Sequence, residues 1–317
     1  MGQYSDKILV TGHKNPDTDS ITSAITYSNF KNKLEGTDKY AAMRLGNVSD
    51  ETRYVLDYFN VAEPTLIEAP LEEGDKVILV DHNEKSQTVD GIENAEVLEI
   101  IDHHRLGSLE TVSPVYFRNQ PLGCTSTIIY QMYREQNVEI NKTIAGLLCS
   151  AILSDTLMYR SPTCTPLDKA VAEELAGIAG INTEEHAKAM FQAGSDFGSK
   201  TPEEIFYQDF KTFSQNGVDF GVGQISAMTQ DELDQVRDKL LPYLREAMTE
   251  RKIEMVFVML TNIIEETTYL ICEGEHADEL VEKAFPVHKE GAYHVLRGVV
   301  SRKKQLIPMF MSAMQDQ

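Results

Sequence analysis

Short apolar runs that stop abruptly at charged residues organise this chain. ILVTGHKNPDTDS (8–20), VILVDHNE (77–84), VLEIIDHHR (97–105) and LLCSAILSDTL (147–157) each pass from an apolar run into acidic, or acidic and histidine, residues. Up to about residue 190 the pattern predicts a strand over 7–11, a helix from about residue 20, strands over 77–80 and 97–101, a helix around 124–136 and a buried segment over 143–154. Strands alternating with helices predict βαβ units and a mostly parallel sheet with flanking helices. SPTCTPLDKAVAEELAGIAG (161–180) reads as a capped helix ending at Gly180.

Composition shifts at AGSDFGSKTPEE (193–204), where two glycines, two serines and a proline interrupt the pattern. Beyond it, VDFGVGQISAM (218–228), a charged amphipathic helix over 230–251, MVFVMLTNII (255–264), TTYLICEG (267–274) and AYHVLRGVVSRKKQ (292–305) predict a smaller α/β domain. A chain of 317 residues exceeds the size at which one core stops growing. The expected division is a domain over 1–192, a linker over 193–200 and a second domain over 201–317.

Composition narrows the function. Apolar content of 42% and charged content of 25% are those of a globular protein, and no repeat or low-complexity tract stands out. The start MGQYSDKILVTG lacks a signal-peptide pattern, and no apolar stretch approaches the roughly 20 residues of a membrane span. A soluble cytoplasmic protein with no membrane partner is expected. Gly2 fits a short lipidation pattern, but the strand begins at once and a buried terminus is the simpler reading. Cys124, Cys149, Cys164 and Cys272 lack CxxC spacing, so neither a zinc–thiolate knot nor a disulfide framework is indicated. The formal net charge of −21 disfavours any nucleic-acid partner, because binding a phosphate backbone needs a basic face.

The carboxyl ends of parallel strands face a common crevice, so residues after each apolar run converge there. Carboxylates and imidazoles gathered in one place imply a cation, and more than one ion. Pro16 keeps His13, Asp17 and Asp19 on a loop, where Asp17 and Asp19 reach the same side; alternatively Asp19 or Ser20 caps the following helix. Asp81 is the ligand expected after the second run, with His82 and Asn83 lining the pocket. Within Asp102-His103-His104, adjacent side chains on an extended chain point to opposite sides. That assigns His103 to metal, His104 to substrate and Asp102 to orienting an imidazole. Asp155 ends the fourth run and completes the set, although SDT alone is also a capping pattern.

Histidine with several carboxylates and no thiolate suits Mn²⁺, Co²⁺ or Mg²⁺ better than structural zinc, and manganese best. Asp17, Asp19, Asp81 and Asp155 carry −4, which two divalent ions neutralise. Arg302, Lys303 and Lys304, with Arg297 nearby, would then hold an anionic substrate, unless they form a solvated surface patch.

Together GHKNPDTDS, VDHNE, IDHHR, SDT and SRKKQ resemble the family II, manganese-dependent inorganic pyrophosphatases of the DHH phosphoesterase superfamily, over nearly the whole chain. The resemblance implies a two-domain DHH fold that hydrolyses pyrophosphate to two orthophosphates by a hydroxide bridged between two manganese ions in the interdomain cleft. It implies one ion held by His13, Asp17 and Asp81 and a second by Asp19, Asp81, His103 and Asp155, with Asp81 bridging and His104 beside the substrate. Lys211, Arg302 and Lys303 fall on its substrate-binding positions. Lys211 rests on the resemblance alone, since its acidic stretch reads as a solvated helix. The resemblance also implies Mg²⁺ arriving with pyrophosphate and a homodimer formed through the N-terminal sheet edge. The interval from Asp81 to Asp155 is too short for the regulatory nucleotide-binding insert of some members. Other readings are a DHH phosphodiesterase or exopolyphosphatase, or a metal or phosphate sensor.

Overall fold

The computed structural model describes residue 4, residues 6–195 and residues 197–315. Gly2 lies outside them. Two compact units divide after Met190.

The first unit runs β1 (Ile8–Lys14), α1 (Thr18–Glu35), β2 (Tyr40–Leu45), α2 (Asp50–Tyr58), β3 (Thr65–Leu66), β4 (Lys76–Val80), β5 (Glu96–Asp102), β6 (Tyr116–Asn119), α3 (Thr125–Glu135), α4 (Lys142–Asp155), α5 (Pro166–Ala179) and α6 (Thr183–Gly194). Its sheet has the order β3-β2-β1-β4-β5-β6 with every pairing parallel. Such a sheet is covered on both faces, so its inner strands are apolar throughout, as in β4 from Val77 to Val80. The order reverses between β1 and β4, and at such a switch point the strand ends open a crevice. Helix α1 is polar yet buried over most of its length. Its hydroxyls tolerate burial by bonding back into the helix: Thr22 donates to Thr18 O at 2.9 Å and Thr26 to Thr22 O at 2.8 Å.

The second unit holds α7 (Pro202–Phe206), β7 (Phe210–Gln215), β8 (Val218–Ala227), α8 (Gln230–Leu240), α9 (Leu244–Arg251), β9 (Met255–Asn262), β10 (Thr267–Gly274), α10 (Ala277–Ala284), β11 (Lys289–Glu290), β12 (Tyr293–Arg297) and α11 (Ile307–Gln315). The sheet order is β11-β12-β10-β9-β8-β7, with only β8 and β9 parallel. Strand β9 is buried at every position. Its alternate residues feed two cores: Met255, Phe257 and Met259 meet α10 and α11, while Val256, Val258 and Leu260 meet α8 and α9.

The α/β class and the sheet character match the sequence reading. Three details differ. The fourth apolar run is the second half of helix α4, not a strand, because the unbroken apolar and small stretch before Asp155 serves a fully buried helix equally well. The segment 230–251 is two helices, divided around Pro242, which cannot continue the first. Lys211 lies on strand β7, opposite Val222. No helix among the described residues is long and apolar enough to cross a membrane.

Gly12 shows how tightly β1 meets α1. A Cβ there would lie 1.8 Å from Ser20 Oγ, the atom that accepts the His13 N–H at 2.9 Å. Gly12→Ala is expected to cost about 1–3 kcal/mol, the usual overpacking penalty, read as a lower urea midpoint. An unchanged midpoint would mean that Ser20 turns away freely.

Candidate metal centre

His13 closes β1. Its Nδ1–H donates to Lys14 O at 2.7 Å, a partner that can only accept, so Nε2 carries the lone pair. That atom faces Asp81 Oδ2 at 3.3 Å and Asp17 Oδ2 at 3.4 Å. Asp17 is also the N-cap of α1, accepting the Ser20 N–H at 2.9 Å. The capping role expected of Asp19 or Ser20 therefore belongs to Asp17, which caps with Oδ1 and turns Oδ2 to the site.

Asp19 is fully buried in the first turn of α1. It accepts from Thr125 N at 2.7 Å, Ser126 N at 3.1 Å, Ser126 Oγ at 2.7 Å and Ser23 Oγ at 2.9 Å, so it also terminates α3 from 106 residues away. Burial, then the neighbouring Asp81 charge, pushes its pKa up to about 6.

Asp81 follows β4 with φ of +62°, in the left-handed region that aspartate tolerates better than most residues. Oδ1 lies 3.4 Å from His103 Nε2 and accepts from Thr125 Oγ1 at 3.1 Å. Oδ2 is buried and receives no hydrogen bond. Burial alone would raise the pKa of Asp81, but His103 and His13 more than offset it and hold the carboxyl well below the usual range.

Strand β5 ends at Asp102, so the alternation expected of His103 and His104 does not extend through them. Their rings lie 4.5 Å apart and edge-on, both beside Asp81, instead of pointing to opposite sides. Their partners separate them: His103 Nδ1 bonds Leu122 O at 2.9 Å, and His104 Nδ1 bonds Asp102 Oδ1 at 2.8 Å. Asp102 also accepts both their backbone N–H groups and the amide of Asn83. The charge of His104 is the principal interaction that draws its pKa down against burial. Asn83, expected to line the pocket, instead holds the Asp102 loop. His82 is buried on Val80 O, and burial drops its pKa to about 4.

Asp155 ends α4, with Oδ2 3.6 Å from His103 Nε2. The chain then makes a left-handed turn over Leu157, Met158 and Tyr159, at φ of +48°, +50° and +68°. Three groups overlap at Asp81, namely His13–Asp17–Asp81, Asp19–Asp81–His103–Asp155 and Asp81–His103–His104, each with ligand atoms within 4.8 Å of one another. Four carboxylates and two oriented imidazole lone pairs fit hard or borderline divalent ions. Cys124 is buried alongside, where burial and then Asp19 push its pKa well up, and among the described residues its sulfur joins none of these groups.

The basic residues belong to the second unit. Lys211 makes no hydrogen bond or ion pair among the described residues. Arg302 is buried, with Nη1 donating to Asp209 O and Val222 O, both at 3.1 Å, and Nη2 to Asp209 Oδ1 at 2.6 Å, clamping the start of β7 to β8. Lys303 and Lys304 follow it in a π-helical turn that leads into α11. Sequence reasoning missed Thr125 and Ser126, and also Glu51, a half-buried acid accepting from Thr18 Oγ1 at 2.6 Å and Ser154 Oγ at 2.5 Å. No local pattern announces residues whose partners lie 33 to 107 positions away.

Residues 7–152 match the DHH family, N-terminal domain, and residues 188–313 match the DHHA2 domain. The chain thus belongs to the DHH family, which together with the sheet and the His–Asp cluster defines a DHH-type hydrolase. It is 47% identical over 311 residues (98% of this chain, 99% of the relative) to a Clostridium acetobutylicum protein named "Probable manganese-dependent inorganic pyrophosphatase". The manganese-dependent inorganic pyrophosphatase of Bacillus subtilis is 43% identical, covering 98% of this chain and all of that one. A Methanococcus jannaschii crystal structure, assigned by name to the family II inorganic pyrophosphatases, matches with a TM-score of 0.86 and 39% identity over 97% of this chain and 99% of that one. Within the DHH family, therefore, this chain is a member of the manganese-dependent, family II inorganic pyrophosphatases.

Asp102→Asn keeps the shape but removes the charge that orients His104. Turnover of pyrophosphate is expected to fall about 10–100-fold, the usual scale for losing an orienting partner, with manganese content unchanged. Loss of metal with activity would make Asp102 part of the metal-holding set instead.

Proposed function

We propose that the chain splits pyrophosphate into two orthophosphates at a dinuclear manganese site, held by His13, Asp17 and Asp81 on one side and by Asp19, Asp81, His103 and Asp155 on the other. The observation that carries this reading is the position of Asp81: its two oxygens face different histidines, each within its own cluster. When bound, a pair of divalent ions would acidify a water and shield the phosphate charge. The protein's own groups do the rest. His13 and His103 keep their Nε2 lone pairs turned inward through backbone carbonyls. His104, anchored by Asp102, offers Nε2 to the departing phosphate, where a proton or charge lowers the cost of separation.

In this reading Lys211, Arg302 and Lys303 of the second unit grip the substrate. An ammonium at Lys211 without a partner among the described residues and basic residues at a helix N-terminus both suit a phosphate. Arg302 contributes its charge while fixing the strand that carries Lys211. Domains over 1–192 and 201–317, joined by 193–200, would divide the work into metal holding and substrate gripping. Mg²⁺ accompanies the substrate, and Co²⁺ can replace manganese. A cytoplasmic homodimer completes the proposal. The half-exposed Tyr116 and Phe117 on edge strand β6 support pairing through that edge.

The test is phosphate release by metal-stripped protein given Mn²⁺ and Mg²⁺, with pyrophosphate, tripolyphosphate and a dinucleotide side by side. Fast release from pyrophosphate alone is expected; preference for either other substrate would move the activity to the wider DHH phosphoesterases. Asp81→Ala should lose both manganese and turnover, and an Asp81 variant still holding two ions would remove the bridging role. Lys211→Ala and Lys303→Ala should keep manganese while KM rises about tenfold to hundredfold, the scale of a lost charge-assisted hydrogen bond.

A further inference from the structure

The second unit carries a cluster with a different donor chemistry. Leu270 on β10 pairs with His294 on β12, and Cys272, two residues along β10, lies on the same face, diagonally across from the imidazole. Helix α10 covers that face, burying Ala277, Leu280, Val281 and Ala284 and presenting Asp278 and, one turn later, Glu282. Cys272 Sγ lies 3.2 Å from Asp278 Oδ1, and His294 Nε2 lies 3.8 Å from the same oxygen and 3.8 Å from Glu282 Oε1. One ligand atom from each of Cys272, Asp278 and His294 falls within 4.8 Å of the other two. Around a tetrahedral zinc ion, bond lengths of about 2.0–2.3 Å separate neighbouring ligand atoms by roughly 3.3–3.7 Å, which these distances bracket.

His294 supplies the second, independent observation. It is 0% exposed, and neither ring nitrogen has a hydrogen-bond partner among the described residues. Buried imidazoles are normally satisfied, and one left bare costs about 1–3 kcal/mol. Its Nε2 is aimed at the carboxylates of Asp278 and Glu282, and burial lowers its pKa, which leaves the ring neutral with a lone pair to give.

We propose that Cys272, Asp278 and His294 form a zinc site in the second unit, with Glu282 or water as the fourth ligand. Thiolate with imidazole selects zinc over manganese, opposite to the all-oxygen and imidazole set of the first unit. Metal-free, Cys272 donates its S–H to Asp278, and binding transfers that proton to solvent as the sulfur becomes a ligand. Lys289 Nζ lies 2.9 Å from each Asp278 oxygen, so binding shifts the ammonium wholly onto Oδ2 as the metal takes Oδ1.

The test uses full-length protein with its catalytic site loaded with Mn²⁺, titrated with Co²⁺ while the near-ultraviolet thiolate-to-cobalt band is followed. The expected result is a band that saturates at one equivalent, is bleached by Zn²⁺, disappears in Cys272→Ser and Asp278→Asn, and persists in Asp81→Asn. Asp278 is half-exposed, so its variant should fold even where a change at His294 does not. Absence of the band, or a band that survives Cys272→Ser and vanishes in Cys124→Ser, would overturn the assignment. Failure of Zn²⁺ to bleach the band would overturn the choice of zinc.

Discussion

Four carboxylates crowd the switch point between β1 and β4, and the first unit is built around holding them there. Two like charges about 4 Å apart repel by roughly 4 kcal/mol at an effective dielectric of 20, so the cluster opposes folding unless donors and cations answer it. The fold answers partly with its own backbone. Asp17 takes an N–H of α1, Asp19 takes two of α3, and Asp102 takes those of His103 and His104. Asp81 sits where these supports meet, in a left-handed conformation that turns its carboxylate between two histidines. What the hydrogen bonds leave unanswered, visible in the raised pKa of Asp19 and the bare Oδ2 of Asp81, is the charge that divalent ions neutralise.

The His–Asp positions were legible in the sequence because a parallel sheet delivers its strand ends to one edge, so short motifs after apolar runs need no further information to converge. Asp155 was found for a partly mistaken reason: its run is a helix, but a buried helix that ends at the crevice delivers a carboxylate as well as a strand does. The reading of His103 and His104 by strand alternation failed because β5 stops one residue earlier; hydrogen-bond partners, a backbone carbonyl for one ring and a carboxylate for the other, separate the two. Thr125, Ser126 and Glu51 were illegible, since each acts through a partner that only the folded chain brings near. Lys211 misled for a related reason. A short edge strand of mixed polarity, FKTFSQ, carries too little alternation to be told from a solvated helix.

Strain marks where this economy is tightest. Three consecutive residues after Asp155 take left-handed angles, each costing about 1–2 kcal/mol, and none is a glycine. The turn survives because its backbone groups are bonded: Met158 N to Leu153 O at 2.8 Å, Leu157 N to Ser154 O at 3.0 Å and Ser161 N to Thr156 O at 2.8 Å. It stops α4 within one residue of Asp155, so the carboxylate sits on a helix end that cannot fray toward solvent. Strain of this kind persists only where the surroundings over-determine it, and such places cluster at functional sites.

The two metal-binding sets proposed for this chain differ in what their surroundings permit. In the first unit a thiol, Cys124, lies beside the carboxylates, where its burial and then the charge of Asp19 raise its pKa. In the second unit Cys272 faces one carboxylate whose charge is already answered by Lys289, and a neutral buried imidazole stands ready beside it. Burial and then Asp278 raise the pKa of the Cys272 thiol as well, so its sulfur becomes a ligand only as an incoming ion displaces the proton. Burial raises the pKa of both thiols, so what sets the second unit apart is its ligand grouping, in which a sulfur stands with a single carboxylate and a buried imidazole that has no hydrogen-bond partner among the described residues.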